Sequence, residues 1–457
     1  MAGIGFELRK ALKGKTIGTF FTAMFSGIII VAGPWLISII TISLIYRFLG
    51  PLLGGYPEVF MGPVVYSYAF SLFLFGGIHF LFTRTLSDLI FTKMEKEATY
   101  LLLIVLSITF SVTFFIAFLV MLPTYPPVGK SGLYKFAASF LFASVNCIWF
   151  LIIHISLLKR YLQIVAVYAG GMTASFLFIY FLGKIWGIAG ALLGFAIGHF
   201  VIVFLLLFIS ARAYPPQTAP LSKLVTKKMI SAYKFLGAAG AFYYGGLWID
   251  KFLYWLKSGD PITGTCFILF PLYDIAVYVS NLTIIPGLVY FMVFSETNFY
   301  TELRKFLMSL QYKRYGIIQK HKYRLIRSIK TNVVRQSIFQ AAVTISCILV
   351  LPVLFKDFFI GQTTIPIFYL SLIGVFFLLL LLTLLNLLFY MERYREAGIS
   401  AFTFFMLNTV VTLFHCLAIP MLPGTGFLAG AVGGDLIAYI FLIKSSKKID
   451  RSILAGI

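Results

Sequence analysis

Charged residues are scarce in this 457-residue sequence, and acidic residues are the scarcer kind. Charged side chains make up 11% of the chain, with 15 Asp and Glu against 37 Lys and Arg. A soluble globular domain carries about a quarter charged residues, so the composition excludes that class. Cysteine is also rare, and the four cysteines occur singly in apolar stretches, without the spacing of a zinc site or a redox pair. We interpret them as small buried hydrophobic residues.

The sequence also lacks the signatures of nucleotide and catalytic chemistry. It has no phosphate-binding glycine loop followed by Lys and Ser or Thr, and no dinucleotide-binding fingerprint. No arrangement of side chains predicts a catalytic group or a metal site. We therefore predict a protein that is not an enzyme and carries no cofactor.

Apolar runs dominate what is present, since hydrophobic residues make up 60% of the chain. A spanning helix needs about 20 apolar residues, so the chain has room for roughly twelve of them. Apolar runs between charges, Pro and Gly predict spans 1 to 12 at about residues 17–46, 62–82, 99–122, 133–158, 162–182, 186–209, 230–256, 265–294, 333–355, 364–390, 400–422 and 424–444. We predict an all-α integral membrane protein of two six-helix lobes, residues 1–222 and 223–457, around a central cavity.

The placement of Lys and Arg predicts the orientation of these spans. Cytoplasmic loops retain basic residues, whereas the translocated side is depleted in them. Most of the 37 Lys and Arg fall on the side that holds both termini. The opposite side holds only Arg47, Lys130, Lys135, Lys184, Lys257 and Lys356. Both termini are therefore predicted to be cytoplasmic, and the positive charge reflects topology rather than nucleic-acid binding.

Matching glycines indicate an internal repeat. Gly33 and Trp35 of span 1 correspond to Gly246 and Trp248 of span 7. Three glycines four residues apart in span 6 correspond to three in span 12, namely Gly190, Gly194 and Gly198 with Gly426, Gly430 and Gly434. Such a strip lets another backbone approach closely, so we predict that the last helix of each half packs tightly against a neighbour.

Ionisable residues inside the membrane are costly, which makes each of them a functional candidate. Asp250 and Lys251 are adjacent in span 7 and point about 100° apart, so we expect at least one of them to pair elsewhere. Asp274 is the favoured partner of Lys251, and Asp435 is the other candidate. Asp274, Tyr278 and Asn281 recur at i, i+4 and i+7 and form one polar stripe.

These residues predict a substrate pathway, and a structural ion pair that locks helices together is the alternative. The predicted pathway consists of Asp250, Lys251, Asp274, Asn281, Asp435, Tyr254, Trp255, Tyr278 and Trp35. Aromatic faces beside hydrogen-bonding groups suit sugar rings, whereas anchoring at the membrane interface is the ordinary role of such aromatics. His199 aligns with Asp435, but we interpret the histidines of the spans as hydrogen-bonded structural residues.

A basic segment at about residues 296–336, predicted as a cytoplasmic loop, interleaves cations with apolar residues. Its predicted docking residues are Arg304, Lys305, Lys313, Arg314, Lys320, Lys322, Arg324 and Arg327. Such a segment lies on anionic lipid or docks a cytosolic protein, and the sequence leaves both open.

Several motifs resemble the PelG family, the membrane exporters of the bacterial Pel exopolysaccharide system. They are the opening decapeptide MAGIGFELRK, Gly33-Pro34-Trp35 and Trp248-Ile249-Asp250-Lys251. The resemblance covers essentially the whole chain and implies the fold of the multidrug/oligosaccharidyl-lipid/polysaccharide flippase superfamily. It also implies a multi-pass protein of the bacterial inner membrane that passes an amino-sugar-rich polymer outward for biofilm formation.

The resemblance further implies three partners: a PelF-like cytosolic glycosyltransferase, a PelD-like cyclic-di-GMP receptor and a PelE-like membrane subunit. No binding residues are carried over from the family. Two other functions remain open. One is a cation-coupled small-molecule antiporter of the same fold, and the other is a multi-pass glycosyl polymerase or ligase. The second is disfavoured because such enzymes need a sizeable outer loop with catalytic groups, and the predicted outer loops are short.

Overall fold

The computed structural model of the chain describes residues 5, 17–53, 56–127, 129–220, 225, 227–312, 314–354, 364–417 and 421–447. Its thirteen helical elements are α1 Ile17–Leu49, α2 Pro57–Phe91, α3 Glu95–Met121, α4 Ser131–Leu157, α5 Tyr161–Ala213, α6 Lys227–Ser258, α7 Pro271–Leu282, α8 Ile285–Tyr290, α9 Thr297–Tyr312, α10 Tyr315–Leu354, α11 Thr364–Tyr390, α12 Tyr394–Leu417 and α13 Thr425–Lys447. A 3₁₀ turn, Gly50–Leu53, follows α1, and a π-helical turn, Phe291–Glu296, joins α8 to α9. A short hairpin, β1 Asp260–Pro261 and β2 Ile268–Leu269, separates α6 from α7.

Ten helices of the described residues are long and apolar enough to cross a membrane. One of them, α5, has 53 residues, and about 80 Å of helix is more than twice the thickness of a bilayer core. It contains two helices, because Trp186 and Gly187 have non-helical dihedral angles. Gly187, at φ +57° and ψ −141°, adopts a conformation that only glycine takes readily. Spans 5 and 6 are therefore two helices, as predicted.

Helix α6 is long enough to span a bilayer but is absent from these ten. Its 32 residues include Lys234, Asp250, Lys251 and Lys257, which lower its hydropathy. The ten helices count α7 to α9 as one broken span and α5 as one helix. When α5 is counted as two helices and α6 is added, the described residues contain twelve long helical segments. The predicted all-α membrane fold is confirmed.

The chain forms two compact units, which we call unit one and unit two. Unit one contains residues 1–31, 249–254 and 271–457, and unit two contains residues 32–248 and 255–270. The lobe boundary predicted after residue 222 separates the two halves of the sequence repeat. The two compact units do not test that repeat, so the boundary stays a prediction.

Unit two is built around α4 and the two helices of α5. Helix α4 packs on α2, α3 and α5, and its buried Phe150 lies edge-on to Phe82 at 5.0 Å between ring centroids. The hydroxyl of buried Tyr134 donates to the carbonyl of Val59 at 2.7 Å and ties α4 to the start of α2. The core of this unit is therefore an apolar helix bundle.

Unit one is built around α11, which packs on α7, α10, α12 and α13. Helix α11 is apolar on all sides, with Leu378, Leu379, Leu381, Leu384 and Leu385 buried, as a central helix requires. Polar ties also hold it. The amide of Gln336 in α10 donates to Thr383 Oγ1 at 2.7 Å, and both side chains are buried.

The predicted start of span 8 at residue 265 is wrong. Residues 260–261 and 268–269 form the antiparallel hairpin, and the helix begins only at Pro271. The apolar run of residues 266–269 does not form a helix and packs instead on Tyr66 of α2. The Tyr66 hydroxyl donates to the carbonyl of Ile268, and the amide of Ile268 approaches the same hydroxyl, both at 3.0 Å.

The predicted loop at residues 296–336 is also wrong, because these residues form α9 and the first half of α10. The interleaving of basic and apolar residues is an amphipathic helical pattern. Phe299, Leu303 and Phe306 recur at i, i+4 and i+7 and are buried, as are Leu325 and Ile329 of α10. Helices α9 and α10 pack on each other through these faces.

The predicted glycine strips lie at close helix contacts in both units. A Cβ on Gly194 would lie 2.5 Å from the backbone nitrogen of Ile179 in the first helix of α5. In α13, a Cβ on Gly430 would lie 2.6 Å from the carbonyl oxygen of Phe404 in α12. The prediction that the last helix of each half packs tightly against its neighbour is confirmed.

Candidate functional site

Five buried side chains and the half-buried His415 lie together in unit one, and we call them the Asp250 cluster: Asp250, Lys251 and Tyr254 of α6, Tyr273 of α7, His415 of α12 and Phe427 of α13. Asp250 is fully buried. The hydroxyl of Tyr273, itself fully buried, donates to Asp250 Oδ2. A carboxylate in such a place needs hydrogen bonds and a nearby cation to offset its lost hydration.

Lys251 supplies that cation. Its Nζ lies 3.5 Å from Asp250 Oδ1, and the residue is 8% exposed. These adjacent residues do pair with each other, because the four-carbon lysine stem bends back across the 100° between their directions. Asp250 also has a partner elsewhere, as expected, in the Tyr273 hydroxyl. The predicted pairing of Lys251 with Asp274 stays a prediction. The ammonium also lies 5.7 Å from the ring centroid of Phe427.

Tyr254 extends the cluster toward α12. Its ring lies 4.6 Å from that of Tyr273, and its hydroxyl lies 2.9 Å from His415 Nδ1. Phe427, His415 and Tyr273 had no predicted place in the pathway. His415 lies 161 positions from Tyr254, so no sequence spacing could have brought the two together. Tyr273 directly precedes Asp274 and was visible as one of several aromatics near the charges.

The predicted polar stripe lies on the less buried side of α7. Tyr273, Ala276, Val277 and Ser280 form the buried side, whereas Tyr278 is 40% exposed. Asp274 and Asn281 are half-buried. The helix ends at Leu282, and α8 begins at Ile285 with Pro286 in its first turn. The stripe therefore lies on α7, directly before a break in the helix, and its role in transport stays a prediction.

Asp435 is half-buried in α13, and its Oδ1 is a buried atom without a hydrogen-bond partner in the described part of the chain. Glu296 is a further buried carboxylate, which the sequence does not predict. Glu296 is 2% exposed at the end of the π-helical turn and accepts a hydrogen bond from the Tyr390 hydroxyl. Sequence reasoning placed Glu296 at the edge of a loop, because the span was expected to end there.

The two tryptophans of the predicted pathway, Trp35 and Trp255, belong to unit two, whereas the Asp250 cluster belongs to unit one. Trp255 is buried in unit two, where its ring stacks on Tyr66 at 4.8 Å and 17° between the planes. Trp35, also in unit two, is 36% exposed. Adjacent residues Tyr254 and Trp255 thus pack in different units, since they point about 100° apart.

The histidine of unit two that aligns with Asp435 is a satisfied core residue. His199 is fully buried, its Nδ1 lies 2.9 Å from the carbonyl of Phe195, and its Nε2 lies 2.8 Å from the Tyr68 hydroxyl. This agrees with its interpretation as a structural histidine. Among the described residues, no three His, Cys, Asp or Glu side chains lie together in a way that could hold a metal ion.

Most of the basic residues predicted for docking lie on α9 and α10; Arg314 directly precedes α10, and Lys313 is outside the described residues. Lys305, Arg324 and Arg327 line a cleft of about 520 Å³ between the two helices, together with Arg335. Arg304, Arg314 and Lys320 are exposed, and Lys322 is half-buried. Three of the seven described docking residues therefore line the cleft, and the other four lie outside it.

Comparison with protein families yields one match over nearly the whole chain. The family model described as "PelG: Putative exopolysaccharide Exporter (EPS-E)" matches residues 1–453. No curated protein matches the chain.

Solved structures of transporters share the fold. The Vibrio cholerae MATE transporter VcmN in its bent form aligns with a TM-score of 0.63 and 13% identity, over 98% of this chain and 99% of that one. A MOP superfamily transporter from Pyrococcus furiosus aligns with a TM-score of 0.55 and 12% identity, over 93% and 96%. The eukaryotic MATE transporter AtDTX14 aligns with a TM-score of 0.58 and 13% identity, over 94% and 99%. At these identities the similarity shows the fold alone.

Proposed function

Because the chain belongs to the PelG family of exopolysaccharide exporters, we propose that it moves a growing amino-sugar-rich polymer, the Pel exopolysaccharide, across the bacterial cytoplasmic membrane. The family match over residues 1–453 is the observation that carries this proposal. The transporter fold and the ten helices able to cross a membrane support it. The protein itself catalyses no glycosyl transfer, and the polymer is made on the cytosolic side.

The Asp250 cluster supplies the chemistry that a sugar polymer needs. Saccharides present hydroxyl groups and apolar C–H faces together, so carboxylate and ammonium groups beside aromatic rings suit them. In unit one these groups are Asp250, Lys251, Tyr254 and Tyr273. In this proposal the cluster lies on the polymer's path with Asp274, Tyr278, Asn281 and Asp435, and exchanges hydrogen bonds with passing sugars.

The proposed export is coupled to synthesis. A PelF-like cytosolic glycosyltransferase extends the polymer, and PelD-like and PelE-like subunits hold this glycosyltransferase at the membrane. The driving force is then the addition of sugars at the cytosolic end, which fits a protein without a nucleotide-binding motif.

Affinity purification from the native membrane tests this coupling. We expect mass spectrometry to find a glycosyltransferase with the tagged chain but not with another inner-membrane protein that carries the same tag. Deletion of the chain should abolish secreted polymer. A chain that purifies alone, in a strain whose secreted polymer is unchanged by the deletion, would overturn the proposal.

A cation-coupled small-molecule antiporter is a second candidate, favoured by one observation. Asp435 Oδ1 is buried without a hydrogen-bond partner among the described residues, as a carboxylate that takes up a cation would be. Vesicles containing only this chain separate the two functions. Gradient-driven uptake of a small molecule that is lost in Asp435→Asn would favour the antiporter, and absence of uptake would favour the exporter.

A further inference from the structure

The cleft between α9 and α10 carries a concentrated positive charge that the export proposal does not use. Four cations line it, Lys305 of α9 with Arg324, Arg327 and Arg335 of α10, against one carboxylate, Glu302. Glu302 forms an ion pair with Lys305 at 2.7 Å. The three arginines leave the cleft strongly cationic, and arginine forks match the oxygens of a phosphate group.

Glu302 adds a second polar feature to the cleft. Its Oε1 accepts from Lys305, but its Oε2 is buried and has no hydrogen-bond partner in the described structure. An ionised carboxylate accepts hydrogen bonds only, so Oε2 needs a donor such as a hydroxyl group. The cleft therefore suits a ligand that carries both a phosphate and a hydroxyl.

An exposed apolar stripe runs along α10 away from the cleft. Val334, Ile338, Ile345 and Leu349 are between 49% and 68% exposed. They recur at i, i+4, i+11 and i+15, which places them within about 60° of one helical face. The helix continues through the segment that is apolar enough to span a membrane, residues 315–353. This stripe therefore faces hydrocarbon.

The stripe and the arginines share one side of α10. Arg327 precedes Val334 by seven residues and is about 20° from it around the helix, and Arg324 is about 80° from it. Tyr323, 66% exposed beside Arg324, is the kind of aromatic residue that sits at headgroup level. An amphiphile could thus place its phosphate at the arginines and its chains along the stripe.

We propose that this cleft is a binding site for an anionic phospholipid with a hydroxyl-bearing headgroup, of the phosphatidylglycerol type. The phosphate is bound by Arg324 and Arg327, with Lys305 and Arg335 close by. The headgroup hydroxyl donates to Glu302 Oε2, and the acyl chains lie on the α10 stripe. The cleft is on the side predicted to be cytoplasmic, where basic residues meet anionic lipid.

Native mass spectrometry of the full chain, delipidated in detergent, tests this site. We expect phosphatidylglycerol to bind at least tenfold more tightly than phosphatidylcholine of the same chains. The double variant Arg324→Gln, Arg327→Gln should weaken phosphatidylglycerol binding at least tenfold. The matched control, Lys320→Gln with Lys322→Gln, removes the same charge from the same helix outside the cleft and should change it less than twofold.

Two further ligands separate a lipid site from a site for soluble phosphate. Glycerol 3-phosphate and dihexanoyl phosphatidylglycerol should each bind at least tenfold more weakly than the long-chain lipid, because they lack contacts with the stripe. Equal binding of glycerol 3-phosphate would overturn the lipid assignment. Equal losses in the arginine variant and the lysine control, with both variants folded, would overturn the cleft as the site.

Discussion

Asp250 is the residue on which the functional interpretation depends most. Its carboxylate is fully buried, receives the Tyr273 hydroxyl and lies 3.5 Å from Lys251 Nζ. A buried ion pair contributes little net stability to a protein, but removing one partner strongly destabilises the folded state, because the other charge is left buried without compensation. Asp250, Lys251 and Tyr254 could be identified from sequence, because polar residues in an apolar run stand out. Tyr273, His415 and Phe427 could not, because contacts between distant helices leave no local pattern.

Removing one charge of this pair should cost more stability than removing both. We expect Asp250→Asn to lower the free energy of unfolding by about 3 kcal/mol, since it removes the carboxylate nearest to the buried ammonium. The double variant Asp250→Asn, Lys251→Met should recover at least half of that loss. Thermal unfolding in detergent, followed by the fraction that survives size-exclusion chromatography, measures both.

Asp260→Asn is the matched control: Asp260 is exposed in the short strand β1, and we expect no change in the free energy of unfolding. If the double variant loses as much stability as the sum of the two single variants, Asp250 and Lys251 are not coupled.

At the scale of elements, the apolar runs located the helices well, and the two errors have separate physical causes. Residues 268–269 pair with residues 260–261 in a hairpin against Tyr66, and tertiary packing there overrides the helical preference of an apolar run. The sequence predicts a loop where α9 and α10 form, because their many charges obscure the buried apolar stripe, which in α9 consists of Phe299, Leu303 and Phe306. The glycine strips could be predicted because four-residue spacing of glycine has few other uses in an apolar helix.

Two glycines of α5 should respond in opposite ways to alanine. Gly194→Ala places a Cβ 2.5 Å from backbone atoms of Phe178 and Ile179, which cannot move aside as a flexible side chain would. We expect a loss of about 1–3 kcal/mol from this overpacking. Gly170→Ala meets nothing within 4 Å and should leave stability unchanged or raise it by up to about 1 kcal/mol, as alanine favours helix. Thermal unfolding of both variants checks the contrast, and equal midpoints would mean that α5 does not pack at Gly194.

At the scale of the whole molecule, the distribution of basic residues predicts an orientation that the fold does not test. Cys266, predicted to be buried, is instead exposed in the segment between α6 and α7, on the side predicted to face outward. The exposed Lys320 lies on α10, on the side predicted to face the cytoplasm. The rule behind this prediction counts Lys and Arg in short loops near the ends of spans.

A membrane-impermeant maleimide should label Cys266 in intact spheroplasts, and Cys266→Ser should abolish that labelling. Lys320→Cys, introduced into the Cys266→Ser chain, should react only after the membrane is permeabilised. The reverse pattern would place both termini on the outside.

The most direct test of export is the distribution of amino-sugar polymer between the inside and the outside of cells that carry Asp250→Asn. Expression is adjusted so that wild-type and variant cells hold equal amounts of folded protein, and Asp260→Asn serves as the control. We predict that secreted polymer falls at least tenfold with Asp250→Asn and stays at the wild-type level with Asp260→Asn. Secreted polymer at the wild-type level in a strain that lacks the chain altogether would contradict export by this protein.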